Sequence, residues 1–277
     1  MPEAKINGAR IYYQEHGRGF PLILAHGLGG DHAMWLAQVP VFKTKYRVVL
    51  WDCRGHGRSE VTAEGYSIEQ FVEDQYALLG QLGIQRAHIG GLSMGGWIAW
   101  SFALAHPEAT ASLVLSDSAG IQTGMSEAAQ EQTKKLFEAS AAISEKKGRG
   151  PILENTLALM FSAKFLQEKP ELVALVRKQI LADPGLGYAR AIRGLFANWD
   201  QSAAEGVQDR LARISVPALI LAGDLDVLTP LPTQQALQRA IPHSRLEVIP
   251  GSGHVPCIEQ PELWNRLVLE FLAGVPV

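Results

Sequence analysis

Five runs of consecutive apolar residues constrain this chain more than any other feature: PLILAHG (21–27), YRVVLWD (46–52), AHIGGLS (87–93), ASLVLSDSA (111–119) and VPALILAGD (216–224). A strand with one wet face alternates apolar and polar residues. One that is apolar throughout must be covered on both faces, as in a parallel sheet with helices above and below it. The segments between the runs supply such helices. Residues 68–82 place Ile68, Phe71, Val72, Leu78, Leu79 and Leu82 at helical spacing, with Ser67 as N-cap and Gly83 as stop. Further helices are predicted over 94–106, closed by Pro107, and over 233–240 and 261–273. The alternation predicts an α/β doubly wound sheet. The opening AKINGARIYYQEHG reads as a hairpin turning at Asn7-Gly8, which adds an antiparallel edge.

From Ile121 to Glu205 the rhythm breaks. No strand pattern occurs there, only amphipathic helical ones over Glu127–Ile143, Ile152–Phe161, Pro170–Leu181 and Tyr188–Trp199. Gly148-Arg149-Gly150-Pro151 and Asp183-Pro184-Gly185 read as turns between them. The expected organisation is a core over 1–120 and 206–277, with a helical cap over 121–205 packed across the strand ends. A net charge of −3 without a basic stripe argues against nucleic acid or an anionic membrane as partner. The start lacks a secretory pattern, and the longest mostly apolar stretch, Trp97–Ala105, is too short to span a bilayer. The expectation is a cytoplasmic monomer or homodimer. Cys53 and Cys257, the only cysteines, read as reduced thiols without a disulfide framework or zinc spacing.

Within HIGGLSMGGWIAW (88–100), Ser93 ends a strand pattern and opens a helical one. Gly91-Leu92-Ser93-Met94-Gly95 has the G-x-S-x-G spacing, in which a strained turn presents the serine hydroxyl and leaves no room for side chains two residues away. A serine needs a base and a group that orients the base. His254, in the loop PGSGHVPCIEQP, and Asp226, in LILAGDLDVLTP, follow in the chain order Ser, Asp, His, each just past a strand. Asp224 and Asp117 are alternatives for the acid. Oxyanion donors are expected from the backbone N–H groups of Met94 and of Leu28, the latter in the side-chain-poor stretch His26-Gly27-Leu28-Gly29-Gly30. Asp52, Arg54, His56 and Arg58 read as a hydrogen-bonded loop scaffold rather than a metal or phosphate site.

Taken in order, HGLGGDHAMW, WDCRGHGRS, GLSMGG, GDLDVLTP and GSGH resemble the oxyanion loop, the loop that follows it, the nucleophile elbow, the acid loop and the histidine loop of α/β-hydrolase fold proteins. The resemblance covers residues 20–120 and 210–273 and is greatest to enol-lactonases of the 3-oxoadipate type and small carboxylesterases. It implies a mostly parallel eight-stranded sheet flanked by helices, with Ser93, Asp226 and His254 as triad and no metal or organic cofactor. The implied activity is hydrolysis of a small-molecule ester or lactone. Alternatives are a carbon–carbon bond hydrolase of ring-cleavage products and a ligand receptor that keeps its triad; Met94 after the serine also admits perhydrolysis as a side activity. Ser93 stands where haloalkane dehalogenases use aspartate, which sets that subgroup aside. Candidate substrate contacts are Trp35, Leu159, Phe161, Phe165, Phe196 and Trp199, most of which also fit ordinary packing, with Lys164, Arg190 or Arg193 as possible cations for a substrate carboxylate.

Overall fold

A computed structural model describes residues 2–120, 126–197 and 206–277 of the chain. Eight strands, β1 (Glu3–Ile6), β2 (Ala9–His16), β3 (Phe20–Ala25), β4 (Tyr46–Trp51), β5 (Ala87–Leu92), β6 (Thr110–Ser116), β7 (Ala218–Gly223) and β8 (Ser244–Ile249), form one sheet in the order β1-β2-β4-β3-β5-β6-β7-β8. β2 pairs antiparallel with β1 and β4, and the other pairs are parallel. The β1–β2 turn uses Asn7 at φ 46° and Gly8 at φ 76°, the two left-handed residues that a tight hairpin requires.

The apolar runs are continuous because alternate residues enter two different cores. Ile23, Val49, Trp51, Leu113, Leu115 and Ile220 pack on one face against α2 (Ile68–Gln81) and α3 (Met94–Ala105). Leu22, Leu24, Val48, Leu50, Val114, Leu219 and Leu221 pack on the other, against α1 (Val39–Phe42) and the C-terminal helix, Pro261–Ala273. On that second face Trp264 is fully buried, with its ring 5.5 Å from Trp35 and 6.0 Å from Phe42. Its Nε1 also donates to Ser116 Oγ at 3.3 Å. Trp264→Ala should therefore cost about 3–5 kcal/mol of stability, read as the shift in a urea unfolding midpoint. A change below about 1 kcal/mol would contradict this packing account.

Between β6 and β7 the described residues are helical: α4 (Glu127–Lys147), α5 (Leu153–Met160), α6 (Ala163–Glu168), α7 (Pro170–Ala182) and α8 (Leu186–Ala197). The sequence pattern misses α6. Phe161 leaves the helix in an extended conformation, and the Ser162 side chain accepts from Phe165 N to start a new one. Among the described residues, no helix is long and apolar enough to cross a membrane. Parallel strands bring β3, β5, β6, β7 and β8 to one carboxyl edge, so Leu28, Ser93, Asp117, Asp226 and His254 all follow strand ends on the same side.

Candidate active site

Ser93 occupies the β5–α3 junction at φ 57° and ψ −114°, a conformation that L-residues rarely adopt. Sterics force its neighbours to be small. A Cβ on Gly91 would stand 2.3 Å from the Gly95 carbonyl carbon, and one on Gly95 would stand 2.1 Å from Ala25 O. The turn is tied to the next strand, since Ser93 N donates to Ser116 O at 3.0 Å and Ala119 N donates to Ser93 O at 3.1 Å. Strain at one residue is thus held by backbone on both sides.

His254 is buried, and its Nδ1 donates to Asp226 Oδ2 at 2.8 Å. Burial alone would raise the Asp226 carboxyl. The His254 charge and hydrogen bond, with donors from Thr229 and Leu228, outweigh it and hold Asp226 below its ordinary value. An ionised Asp226 can only accept, so Nδ1 carries the imidazole proton and Nε2 is left as an acceptor. Thr229 Oγ1 donates to Asp226 Oδ2 at 2.6 Å, and Leu228 N donates to Oδ1 at 2.8 Å. The two competing acids have other partners. Asp224 is exposed and accepts from Gly251 N at 2.6 Å. Asp117 is fully buried and accepts from Gly223 N at 2.8 Å; burial and then the Asp226 charge push its carboxyl well above the ordinary range. Glu259 pins the histidine loop to the helical insertion, accepting from Gly253 N at 2.8 Å and from Ser162 Oγ at 2.5 Å.

The Leu28 N–H is aimed by groups behind it. His26 Nε2 accepts from Cys53 N at 3.0 Å, so Nδ1 holds the proton and donates to Gly27 O at 2.7 Å. Gly30 N donates to the same oxygen at 3.0 Å. In a trans peptide, fixing the Gly27 carbonyl fixes the Leu28 N–H in the opposite direction. The charged loop after β4 is a scaffold: Asp52 accepts from His32 N, His32 Nδ1 and Arg58 N at 2.7, 2.8 and 2.8 Å. Two groups of side chains have the composition of a metal site among the described residues, Asp31-His32-Asp52 and Asp117-Asp226-His254. In both, internal N–H and O–H donors already take carboxylate oxygens, and hydrogen bonding accounts for each cluster.

Ser93, His254, Leu28 and Leu159 line one cavity of about 70 Å³. Met94 is buried in the first turn of α3 behind Ser93. The structure does not bring four of the expected substrate contacts to this wall. Trp35 is fully buried against Trp264; Phe161 and Phe165 stack on each other at 5.0 Å in the core; Phe196 packs on Phe137 at 5.3 Å. Each packs on an apolar ring instead. Trp199 lies outside the described residues. The expected cations are not in this wall either: Arg190 bonds Thr62 O, Arg193 bonds Glu145, and Lys164 is exposed. The residue that reaches the wall is Arg149, with Tyr188 beside it. Its only sequence signal is an arginine set between glycines, which reads as a turn.

Comparison with known proteins identifies the family. The family model for the alpha/beta hydrolase fold matches residues 21–261. The chain is 32% identical over 254 residues to 3-oxoadipate enol-lactonase 1 of Acinetobacter baylyi, covering 92% of this chain and 89% of that one. Among solved structures, a thermophilic esterase from Thermogutta terrifontis, described with malate bound, superposes with a TM-score of 0.88 at 30% identity over the whole of both chains. The enol-lactonase from Burkholderia xenovorans LB400 superposes with a TM-score of 0.87 at 26% identity, covering 99% of this chain and all of that one. The strand order, the turn at Ser93 and these matches together place the chain in the alpha/beta hydrolase fold family.

Proposed function

We propose that the protein is a serine hydrolase of small carboxylic esters or lactones, acting through an acyl-enzyme. One observation carries the reading: a serine on a strained strand-to-helix turn shares a cavity with a histidine whose other nitrogen is hydrogen-bonded to a buried, ionised aspartate. Ser93 Oγ attacks the ester carbonyl carbon as His254 Nε2 takes its proton. Negative charge develops on the carbonyl oxygen, where the Leu28 and Met94 N–H groups receive it. The carbon–oxygen bond then breaks, and His254 returns the proton to the departing alkoxide. Water, deprotonated by His254, attacks the acyl-enzyme and releases the acid with Ser93 restored. Every step balances without a metal or organic cofactor.

The small cavity favours short acyl groups. In a panel of p-nitrophenyl esters, kcat/KM should fall as the acyl chain lengthens beyond a few carbons, with aliphatic lactones also turned over. Turnover confined to a ring-cleavage dienoate would replace ester hydrolysis with carbon–carbon cleavage. Binding without turnover of any member would point to a receptor. The peptide at Gly27-Leu28 provides a second test, because His26 orients it without facing the substrate. His26→Ala should lower kcat about 10- to 100-fold with a smaller change in KM, as expected for a donor that acts mainly in the transition state. A change confined to KM would contradict that role.

A further inference from the structure

Met34 and Met160 line the serine cavity and also a second chamber of about 30 Å³ on their other side. Phe161, Val176, Ile180 and Ile258 make the far wall of that chamber, and Gln179 supplies its one polar side chain among the described residues. A water held there would need two or more polar partners, so the chamber suits hydrocarbon better. Met34 reaches the divide with its flexible end: a Cβ on Gly30, which also lines the chamber, would stand 3.1 Å from Met34 Cε. Met160 closes α5 and is half-buried, with its carbonyl oxygen against the histidine loop, 3.1 Å from where a Cβ on Gly253 would stand. Methionine is unbranched and turns about three bonds, so it divides a space without making a rigid wall. Leu159, one residue earlier, lines the serine cavity but not the chamber.

We propose that Met34 and Met160 set the length of the unbranched hydrocarbon chain that a substrate can carry at Ser93, because they stand between the serine cavity and the apolar chamber that would receive the end of a longer chain. Reaction at Ser93 rests on the serine hydrolase reading above; the partition is a property of binding and does not. With both methionines in place, a longer chain must displace one of them or stop at it. Shortening either side chain joins the two spaces and adds the volume of the lost thioether. Burying two more methylene groups there is worth about a tenfold gain in affinity. The chain belongs either to the acyl group or to the alcohol, and the choice of ligand separates the two.

The test measures binding apart from turnover. In a Ser93→Ala background, calorimetry compares methyl hexanoate, with its chain on the acyl side, and hexyl acetate, with its chain on the alcohol side, each against methyl acetate. Met160→Ala should raise the long-to-short affinity ratio about 10-fold for at least one of the two. Met34→Ala should act on the same ligand in the same direction. Leu159→Ala enlarges the serine cavity without opening the chamber, and should move that ratio less than about 3-fold. Adding Val176→Phe to Met160→Ala fills the chamber from its far wall and should return the ratio to the parental value. An equal gain from Leu159→Ala would overturn the proposal, since any enlargement would then serve. So would a raised ratio that Val176→Phe leaves in place, or no gain with either ligand. Should Met34→Ala fail to fold, Met160→Ala with and without Val176→Phe decides. Hydrolysis by the protein with Ser93 intact is scored separately: turnover with a length preference that the methionine variants leave unmoved removes the partition and spares the hydrolase reading, and a shifted binding ratio without turnover does the reverse.

Discussion

Replacing Ser93 by alanine should lower kcat for a small ester by about 10,000-fold or more, equivalent to about 5.5 kcal/mol of transition-state stabilisation. The loss is this large because the serine, the histidine and the aspartate act as one unit. Without Oγ, His254 has no proton to accept, and only the backbone donors still favour the reaction over water. KM should change little, since the hydroxyl is a small part of the cavity surface. The fold should survive, because the Ser93 bonds to Ser116 and Ala119 are made by the backbone and alanine keeps them. A fluorophosphonate should add one equivalent to the wild-type chain on the peptide that contains Ser93, and none to the variant. Wild-type turnover by Ser93→Ala, or a label on another residue, would remove Ser93 from the chemistry.

Strand-end positions were legible in the sequence because they depend on local pattern. Continuous apolar runs mark strands buried on both faces, and short motifs immediately after them place Ser93, Asp226 and His254 at one edge of the sheet. The cavity wall depends on contacts between distant segments, and there the pattern misleads. Trp35 follows the glycine-rich loop closely enough to suggest a substrate contact, yet its ring is taken by Trp264 from the C-terminal helix. Phe161 and Phe165 lie on the helical insertion as expected, but stack on each other. Arg149 had the opposite fate. Flanked by glycines it reads as a turn, and only folding brings Gly29, Asp183 and Tyr188 around its guanidinium. Hydrophobic periodicity locates elements well, but it carries no information about which distant segments will meet at the cavity wall.

The two buried carboxylates beside His254 should respond in opposite ways to the same substitution. Asp226→Asn is expected to lower kcat by about 10,000-fold, because an amide nitrogen beside Nδ1 favours the tautomer with its proton on Nε2, where it cannot accept from Ser93. Asp117→Asn should change kcat by less than about 10-fold, since burial and then the Asp226 charge push that carboxyl toward its neutral form, whose shape an amide nearly has. Stability supplies an independent readout with a definite sign. The folded pKa of Asp117 lies above the unfolded value of about 3.9, so the folded state holds a proton that the unfolded chain has lost. Its contribution to stability is therefore present at low pH and is lost as pH rises from about 4 toward the folded value. Asparagine cannot titrate, so Asp117→Asn should gain on the wild type through that window, and the difference should shrink below about pH 3. Asp226 has the reverse sign: its folded pKa is depressed, and the stability it contributes is present above the unfolded value and lost as pH falls through the folded one. Urea midpoints of both variants at pH 3, 5 and 7, measured beside kcat, would test the pair. A large loss of kcat in Asp117→Asn, with Asp226→Asn nearly active, would move the orienting acid from the loop after β7 to the end of β6.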